Sequence, residues 1–395
     1  MHIAIPFCTS IPAPGFYQDF VEGIESAAAA LGHSSERIAF AQVERLEPAE
    51  ADALFAWSRR SRCDLVIDLC CWGYGLSRVR LWNADGSVGA TLFDSLGARY
   101  CALLYDQPYF QPLPWIESES LVVGCPDQDH PGLIPAIYPS VKMRASAFIP
   151  PATRIENDCS PARWADKTPG ALYIGNLAPH ALERFWNDHP HRRAYDAVAD
   201  AALASPGRPL ALCALETLRD AGIALEAGER VELLRSLEFW LRQRLRHRLV
   251  SEVARAGVPL RVHGRGWDAI GLPSNASIGP ETDYNGFKAL IGSARLALDA
   301  STYLGGANDR VFNFAINRTP FFTNARNWLA QAFGENSGAL FYSPGDAEAI
   351  GARIRELLDR PAELERRAAD ARSMALAAHL WTHRLRKLIA VATAA

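Results

Sequence analysis

The stretch "GGANDRVFNFAINRTPFFTNARNWLAQAFGENSGALFYSPGD", residues 305–346, sets a helical pattern ahead of two runs that read as buried strands. Val311, Phe312 and Phe314 give "DRVFNFAIN" the spacing of a helix with one buried face, whereas "TPFFTN" (319–324) and "GALFYS" (338–343) are short apolar runs bounded by turn residues. Upstream, "ARLALDAS" (294–301) is another such run, closed by the polar, glycine-bearing loop "STYLGGAND". Helices that alternate with apolar strands in this way are the grammar of a parallel sheet buried on both faces. Core packing requires neither Asn308 nor Arg310 at the start of the helix. A helix start at the carboxyl end of a parallel sheet offers free amides and a partial positive charge, which suits a phosphate or diphosphate. An arginine in that first turn opposes the helix dipole unless an anion is bound there; pairing with Asp309 or a surface carboxylate is the alternative.

The same alternation extends outward in both directions. In the second half, strands read at "GALYIGN" (170–176) and "PLRVHGRGW" (259–267), with a strandless, helical interruption from about 181 to 258. In the first half, "HIAIPF", "CDLVIDLCCWG", "GATLFDSLGA", "RYCALLYDQPYF", "SLVVGCPDQDHPGL" and "ASAFIPPAT" are the apolar runs, interleaved with helical stretches. The polar, proline-bearing "RIENDCSPARWADKTP" separates the two series. The organisation predicted is a Rossmann-like domain over 1–150, a linker over 151–168, a second Rossmann-like domain over 169–378 with the helical insertion, and a helix end over 379–395 that packs back on the first domain. After residue 346 two helices are expected, the first capped by Asp346 and the second opening on Pro361 and running without a break to the end. Two such modules present the carboxyl ends of their sheets, where open α/β sheets bind ligands, to a common cleft.

Bulk properties agree with a two-domain globular protein: 395 residues, 49% apolar and 22% charged. With 41 basic against 44 acidic residues, nothing in the charge balance calls for nucleic acid as a partner. The eight cysteines, at 8, 63, 70, 71, 101, 125, 159 and 213, form no CxxC and no zinc spacing, and several sit in apolar runs, so buried reduced thiols are expected. No basic leader and no stretch of about 20 apolar residues is present, which predicts a cytoplasmic protein without a transmembrane segment.

Motifs narrow the chemistry further. Neither GxGxxG nor GxxxxGK[ST] occurs, which lowers the weight of dinucleotide binding and of P-loop phosphoryl transfer. In "HGRGW", Gly264 and Gly266 either let a ligand approach the backbone or serve a turn that needs positive φ. "DQD" (127–129) reads as a loop rather than a metal site, and the ten histidines form no ligand pattern; His379 and His383, spaced i, i+4, are explained by packing of the last helix. Arg242, Arg244, Arg246 and Arg248 alternate along a predicted helix and read as a solvated face, with an anionic acceptor or lipid headgroup as the alternative. Trp72, Trp82 and Trp115 lie in loops, where they either stack on sugar rings or pack partly into the core.

The succession "PLRVHGRGW", "YNGFKALIGSARLALDAS", "GGANDRVFNFAINRTPFFTN", "GALFYSPGDAEAIGARIRELL" and "AAHLWTHRLRKLI" resembles the C-terminal half of the CgeB-like glycosyltransferases, and "LLYDQPY" and "FIPPAT" resemble pieces of that family's first domain. The resemblance is fair over residues 259–385 and loose elsewhere. It implies the GT-B fold, in which two Rossmann-like domains face each other, and transfer of a sugar from a nucleotide-diphosphate donor to a glycan, lipid-linked or protein acceptor, with peripheral membrane contact possible for a lipid-linked one. It further implies that the second domain holds the donor: Gly175 and Asn176 at the diphosphate, Gly264, Arg265, Gly266, Trp267 and Tyr284 around the base, and Lys288, Asn308 and Arg310 against phosphate charge, with no metal or other cofactor. At the position where the family carries a glutamate for the donor's hydroxyls, this chain has Asn313, an amide that still hydrogen-bonds but brings no charge. A catalytic base for an inverting transfer is expected from the first domain, where Asp106 closes the strand "YCALLY" and Asp19, Asp68, Asp94, Asp127 and His130 compete. Nucleotide-sugar epimerisation, and binding of a nucleotide-sugar or a partner without catalysis, are the competing functions.

Overall fold

Strand β1 (His2–Cys8) forms where "HIAIPFC" predicts it, and its Ile3, Ala4 and Ile5 are fully buried, as a central parallel strand requires. The computed structural model describes residues 1–11, 14–157, 162–334, 337–343 and 347–394. They divide into two units, one of Met1–Pro151 with Trp381–Ala395 and one of Ala152–Leu380. Asp346, the expected helix cap, and Cys159 lie outside the described residues; the seven described cysteines are buried free thiols.

In the first unit β1 is followed by α1 (Pro14–Ala30), β2 (Ser34–Phe40), α2 (Pro48–Arg60), β3 (Leu65–Leu69) and a short α3 (Tyr74–Ser77). An antiparallel hairpin of β4 (Arg80–Trp82) and β5 (Val88–Thr91) leads into α4 (Leu92–Ser95), then β6 (Arg99–Leu103), β7 (Leu121–Cys125), α5 (His130–Ile137) and β8 (Ala145–Phe148). The run "GATLFDSLGA" therefore splits into a hairpin strand and a helical turn. Among the described residues, six strands form one parallel sheet in the order β2-β1-β3-β6-β7-β8, whose direction of growth reverses between β1 and β3.

The second unit runs β9 (Thr168–Ile174), the three insertion helices α6 (Arg192–Ala204), α7 (Leu210–Asp220) and α8 (Ala227–Arg255), β10 (Leu260–His263), β11 (Ala276–Gly279) and α9 (Tyr284–Gly292). It continues through β12 (Ala294–Asp299), α10 (Asp309–Ile316), β13 (Phe321–Asn324), α11 (Asn327–Phe333), β14 (Ala339–Tyr342), α12 (Ala347–Leu358) and α13 (Pro361–Ala378). Its parallel sheet has the order β11-β10-β9-β12-β13-β14, the doubly wound order with its reversal between β9 and β12. Three strands left no clear sequence signal: β2 and β11, edge strands that are largely exposed or half-exposed and so lack an apolar run, and the three-residue hairpin strand β4.

Two expectations at the carboxyl-terminal end are corrected. Helix α13 stops at Ala378, where Leu380 bridges to Thr153, and α14 (Trp381–Ala394) follows as a separate helix of the first unit. His379 and His383 thus sit on opposite sides of a helix break rather than on one face. His379 is buried against the rings of Phe312 and Phe333, both centred 5.1 Å away. Residues read as a linker belong to the second unit: Lys167 is buried, with Nζ donating to the carbonyls of Gly292 (2.7 Å) and Asn317 (3.2 Å). In the first unit α14 packs on α1 at Gly23, where an added Cβ would lie 2.3 Å from the Trp381 indole.

At the reversal point of the first sheet, Cys70 and Cys71 leave β3 with φ of 55° and 56°, two consecutive non-glycine residues in the left-handed region. Asp68 braces this turn: it is fully buried and accepts from the Gly73 amide (2.7 Å) and the Tyr100 hydroxyl (2.8 Å). Burial raises its pKa to about 7 against the opposing pull of these two hydrogen bonds. Folded Asp68 therefore holds its proton where the unfolded group, near 3.8, has lost it, so its contribution is full below about pH 4 and is lost as pH rises through 7. In Asp68→Asn the Gly73 bond persists, and the Tyr100 hydroxyl, 3.1 Å from the Gly73 carbonyl, turns its proton there and accepts from the new amide. Urea unfolding at a series of pH values should show wild-type stability falling relative to Asp68→Asn by up to about 1.4 kcal/mol per pH unit between pH 4 and 7. Parallel profiles would show that Asp68 is ionised throughout.

Candidate functional site

The residues at the carboxyl ends of β9 and β12, where the second sheet reverses, form the best-defined polar constellation of that unit. Asp299, the last residue of β12, is fully buried, yet its pKa is low: burial pushes it up, but Arg326 and Arg310 outweigh that. It pairs with Arg326 and accepts from Thr323 Oγ1 and Asn308 Nδ2, both at 2.9 Å. Asn308 occupies the extended N-cap position of α10, but its side chain turns to Asp299 and caps none of the helix amides, while its Oδ1 is buried without a partner. The start of α10 thus has no side-chain cap from Asn308.

Two guanidiniums converge on the end of β9. Arg310, half-buried in the first turn of α10, donates from Nη1 to the Ile174 carbonyl at 3.0 Å; Arg246, from α8, donates to the Asn176 carbonyl at 2.9 Å. Neither has a carboxylate partner among the described residues, and burial together with the nearby Arg310 and Arg242 lowers the pKa of Arg246. The Tyr173 hydroxyl, raised by burial, feels both cations. With Asp299 engaged by Arg326, the end of β9 carries an excess of positive charge beside an uncapped helix start, an arrangement complementary to a diphosphate.

The glycines of this region serve the approach of one backbone to another. A Cβ on Gly264 would lie 2.4 Å from the Gly175 carbonyl oxygen, and one on Gly266 would lie 2.2 Å from that of Leu177; both residues have positive φ. Asn176 ties the two strand ends together, accepting from the Arg265 amide (2.9 Å) and donating to Glu281 (2.7 Å), to which Arg265 also pairs at 2.9 Å. Trp267 is fully buried, donating to the Gly175 carbonyl at 2.7 Å and meeting Tyr173 edge-on, so its indole fixes the loop and is not exposed for stacking on a base. Tyr284, at the start of α9, is half-buried under the Lys288 ammonium, 5.1 Å from its ring centre. Asn313 is fully buried: its Oδ1 accepts from Thr153 Oγ1 (2.9 Å) and Asn157 Nδ2 (3.2 Å), and its Nδ2 donates to Tyr284 (3.3 Å). Its carbonyl oxygen joins residues 153–157 to α10 and its amide nitrogen joins α10 to Tyr284 of α9, so the side chain ties three segments of the unit together.

Sequence reading passed over Arg246, Asp299 and Arg326. Arg246 was legible in principle, because Glu238, Arg242 and Arg246 follow at i, i+4 and i+8 and so share one helix face. On that face Glu238 is buried, pairing with Arg242 at 3.2 Å and accepting from Thr302 in the loop after β12. Asp299 had the signal of an acid closing a buried apolar strand.

In the first unit the candidates for a base separate by exposure and position. Asp19, Asp68, Asp127 and His130 are buried, and burial lowers the His130 imidazole to about 3, which keeps it neutral. Asp94 lies at the amino edge of the sheet, accepting from Thr91 (2.6 Å) and Ser118 (2.8 Å). Asp106, beyond the carboxyl end of β6, is half-buried and accepts from the Gln107 amide at 2.9 Å. Trp72 is half-buried against Tyr17, whereas Trp82 and Trp115 are 74% and 55% exposed.

Comparison with known proteins supplies a domain type and a fold. Residues 242–390 match the family described as "Glycosyl transferase-like". No curated protein sequence matches significantly. Among solved structures, sucrose-phosphate synthase from Thermosynechococcus elongatus superposes with a TM-score of 0.57 at 13% identity, covering 99% of this chain and 98% of that one. HepE of Anabaena, solved with UDP-glucose, gives 0.53 at 9% identity with complete coverage of both chains. An alpha-glucosyltransferase solved with UDP and a 13-mer DNA containing an HMU base gives 0.53 at 12% identity, covering 100% of this chain and 99% of that one. The fold is GT-B, and residues 242–390 match a glycosyl transferase-like domain. Among the described residues no helix is long and apolar enough to cross a membrane.

The buried pair at the site makes a direct test. Arg326→Met leaves Asp299 with a buried charge and only two hydrogen-bond donors, and should destabilise the protein by about 3–5 kcal/mol in urea unfolding. Adding Asp299→Leu should recover part of that loss, because the uncompensated charge is removed with it. A double variant no more stable than Arg326→Met alone would show that the pair is not what stabilises this edge.

Proposed function

We propose that the chain is a glycosyltransferase that takes a sugar from a nucleotide-diphosphate donor held at the carboxyl ends of β9 and β12, and we read it as CgeB-like within that class. The observation that carries the reading is the pair of arginines without carboxylate partners, Arg246 and Arg310, at the end of β9 beside the uncapped start of α10. A diphosphate is the leaving group of such a donor, and these groups are placed to meet the charge it gains. Two of the proteins of similar fold were solved with UDP or UDP-glucose, which makes UDP the first ligand to try.

In the transfer, the bond between the anomeric carbon and the diphosphate oxygen breaks with its electron pair going to the diphosphate, while an acceptor hydroxyl oxygen bonds to the same carbon. Arg246, Arg310 and the α10 amides stabilise the departing charge. No metal or further cofactor has a part in this reading, and transfer should persist in EDTA. The acceptor, a glycan, a lipid-linked intermediate or a protein, is assigned to the first unit. Asp106 takes its proton if the reaction inverts configuration, being the half-buried carboxylate beyond a strand's carboxyl end. Asn313 is assigned to structure instead of to the donor's hydroxyls.

Charge-assisted hydrogen bonds to a phosphate contribute about 1.5–3 kcal/mol each. Calorimetric titration with UDP and UDP-glucose, and with GDP and dTDP as comparisons, should show one nucleotide class binding, weakened about 10- to 100-fold by Arg310→Ala and by Arg246→Ala. Unchanged affinity in both variants would remove the donor from this place. Donor turnover without any acceptor would favour epimerisation, and binding without nucleotide release in the presence of acceptors would make the chain a binding module.

A further inference from the structure

The first unit contains a second concave site that the donor reading does not use. A cavity of about 250 Å³ opens where the chain enters β6, β7 and β8, with Asp94, Glu117–Glu119 and Ser140–Lys142 on its walls. This is the amino edge of the parallel sheet, opposite to the edge at which such sheets bind the ligand of their reaction. From the residues that line it and those at its rim, we infer that it is a carbohydrate-binding subsite that holds one sugar residue of an uncharged glycan, apart from the site of transfer.

The charge of the lining argues against phosphate. Among the lining residues Arg80 and Lys142 are opposed by Asp94, Glu117 and Glu119, and Arg78 beside them pairs with Glu117 at 3.4 Å, so the charges balance and the cavity offers no excess of positive charge for a nucleotide or phosphate. Most of these charges are already engaged. Arg80 and Glu117 are paired at 2.8 Å, and Asp94 is held by Thr91, Ser118 and the Glu119 amide. Glu119 and Lys142 are exposed, and their side chains take part in none of these bonds. A carboxylate that accepts from hydroxyls and an ammonium that donates to them, both lining one small cavity, suit a polyol.

The remaining wall is apolar, formed by Leu113, Pro114, Ile116 and Val141. Trp115 stands between the lining residues Pro114 and Ile116 and is 55% exposed, its ring meeting Tyr74 edge-on. Trp82, 74% exposed, lies two residues beyond the lining Arg80 on β4 and so on the same face of the strand. A sugar ring has one apolar face and a polar rim, and an indole beside hydroxyl-binding groups matches both. Ligand clefts for larger molecules run from about 300 Å³ upward, so this cavity is of a size for a single ring, with the two indoles placed to meet neighbouring residues of the glycan.

The test uses the full chain, fluorescently labelled, on an array of neutral and acidic glycans, alongside Glu119→Ala/Lys142→Ala and Trp115→Ala. All the altered residues are exposed, so folding should survive, and circular dichroism checks that it does. The expected result is a neutral glycan bound by the native chain and bound at least tenfold more weakly by both variants, while UDP affinity is unchanged in all three. No neutral glycan bound above the level of the variants, or binding that neither variant weakens, overturns the proposal. Preference for acidic glycans overturns its charge argument in the same way. Because UDP titration is read separately, loss of the donor site and loss of this subsite are distinguishable.

Discussion

One buried carboxylate organises the second unit. Asp299 ends β12 with its charge fully removed from water, a placement that is unfavourable unless the charge is met by cations and hydrogen bonds. Arg326 after β13, Thr323 within β13 and Asn308 at the head of α10 all converge on it. Two neighbouring segments, the start of α10 and the end of β13, are thereby fixed to one atom group. The consequence reaches the helix start: because Asn308 is drawn to Asp299, it does not cap α10, and Arg310 in the same first turn projects to the end of β9. The charged character of the site thus follows from how a core acid is satisfied.

The two sheets show how far sequence reading extends. Central strands such as β1, β9 and β12 were legible because burial on both faces forces an unbroken apolar run, which loops and surface helices rarely produce. The edge strands β2 and β11 were not, because their exposed and half-exposed residues leave no apolar run, whereas the edge strands β8 and β14 kept one. The break between α13 and α14 was also hidden: "AAHLWTHR" carries neither proline nor glycine, and the helix stops because Leu380 is drawn into a bridge with Thr153, more than 200 residues away. Tertiary context decided that boundary, and local propensity carried no trace of it.

The candidate site divides along the same line. Arg310 and Asn308 stood out because they broke the local logic of a helix start, and the structure gives each a partner consistent with that anomaly. Arg246 obeyed local logic as one of four evenly spaced arginines on a long helix, and only the fold separates it from Arg244 and Arg248. Trp267 has a structural role that the sequence did not show. Its indole is fully buried on the Gly175 carbonyl, and the glycines around it answer the crowding of two strand ends.

Asn313 joins these threads. At a position where the resembling family carries a charged hydroxyl-binding group, an amide satisfies three neighbours, Thr153, Asn157 and Tyr284, each by a neutral hydrogen bond. A carboxylate there would bring a full charge to a site with no exposure, beside groups that offer it only neutral donors, and Lys167 and Arg326 are already committed to other acceptors. The neutral side chain is therefore what this packing requires. The cationic groups at the end of β9 are instead Arg246 and Arg310, each held on a backbone carbonyl there and neither on a carboxylate among the described residues.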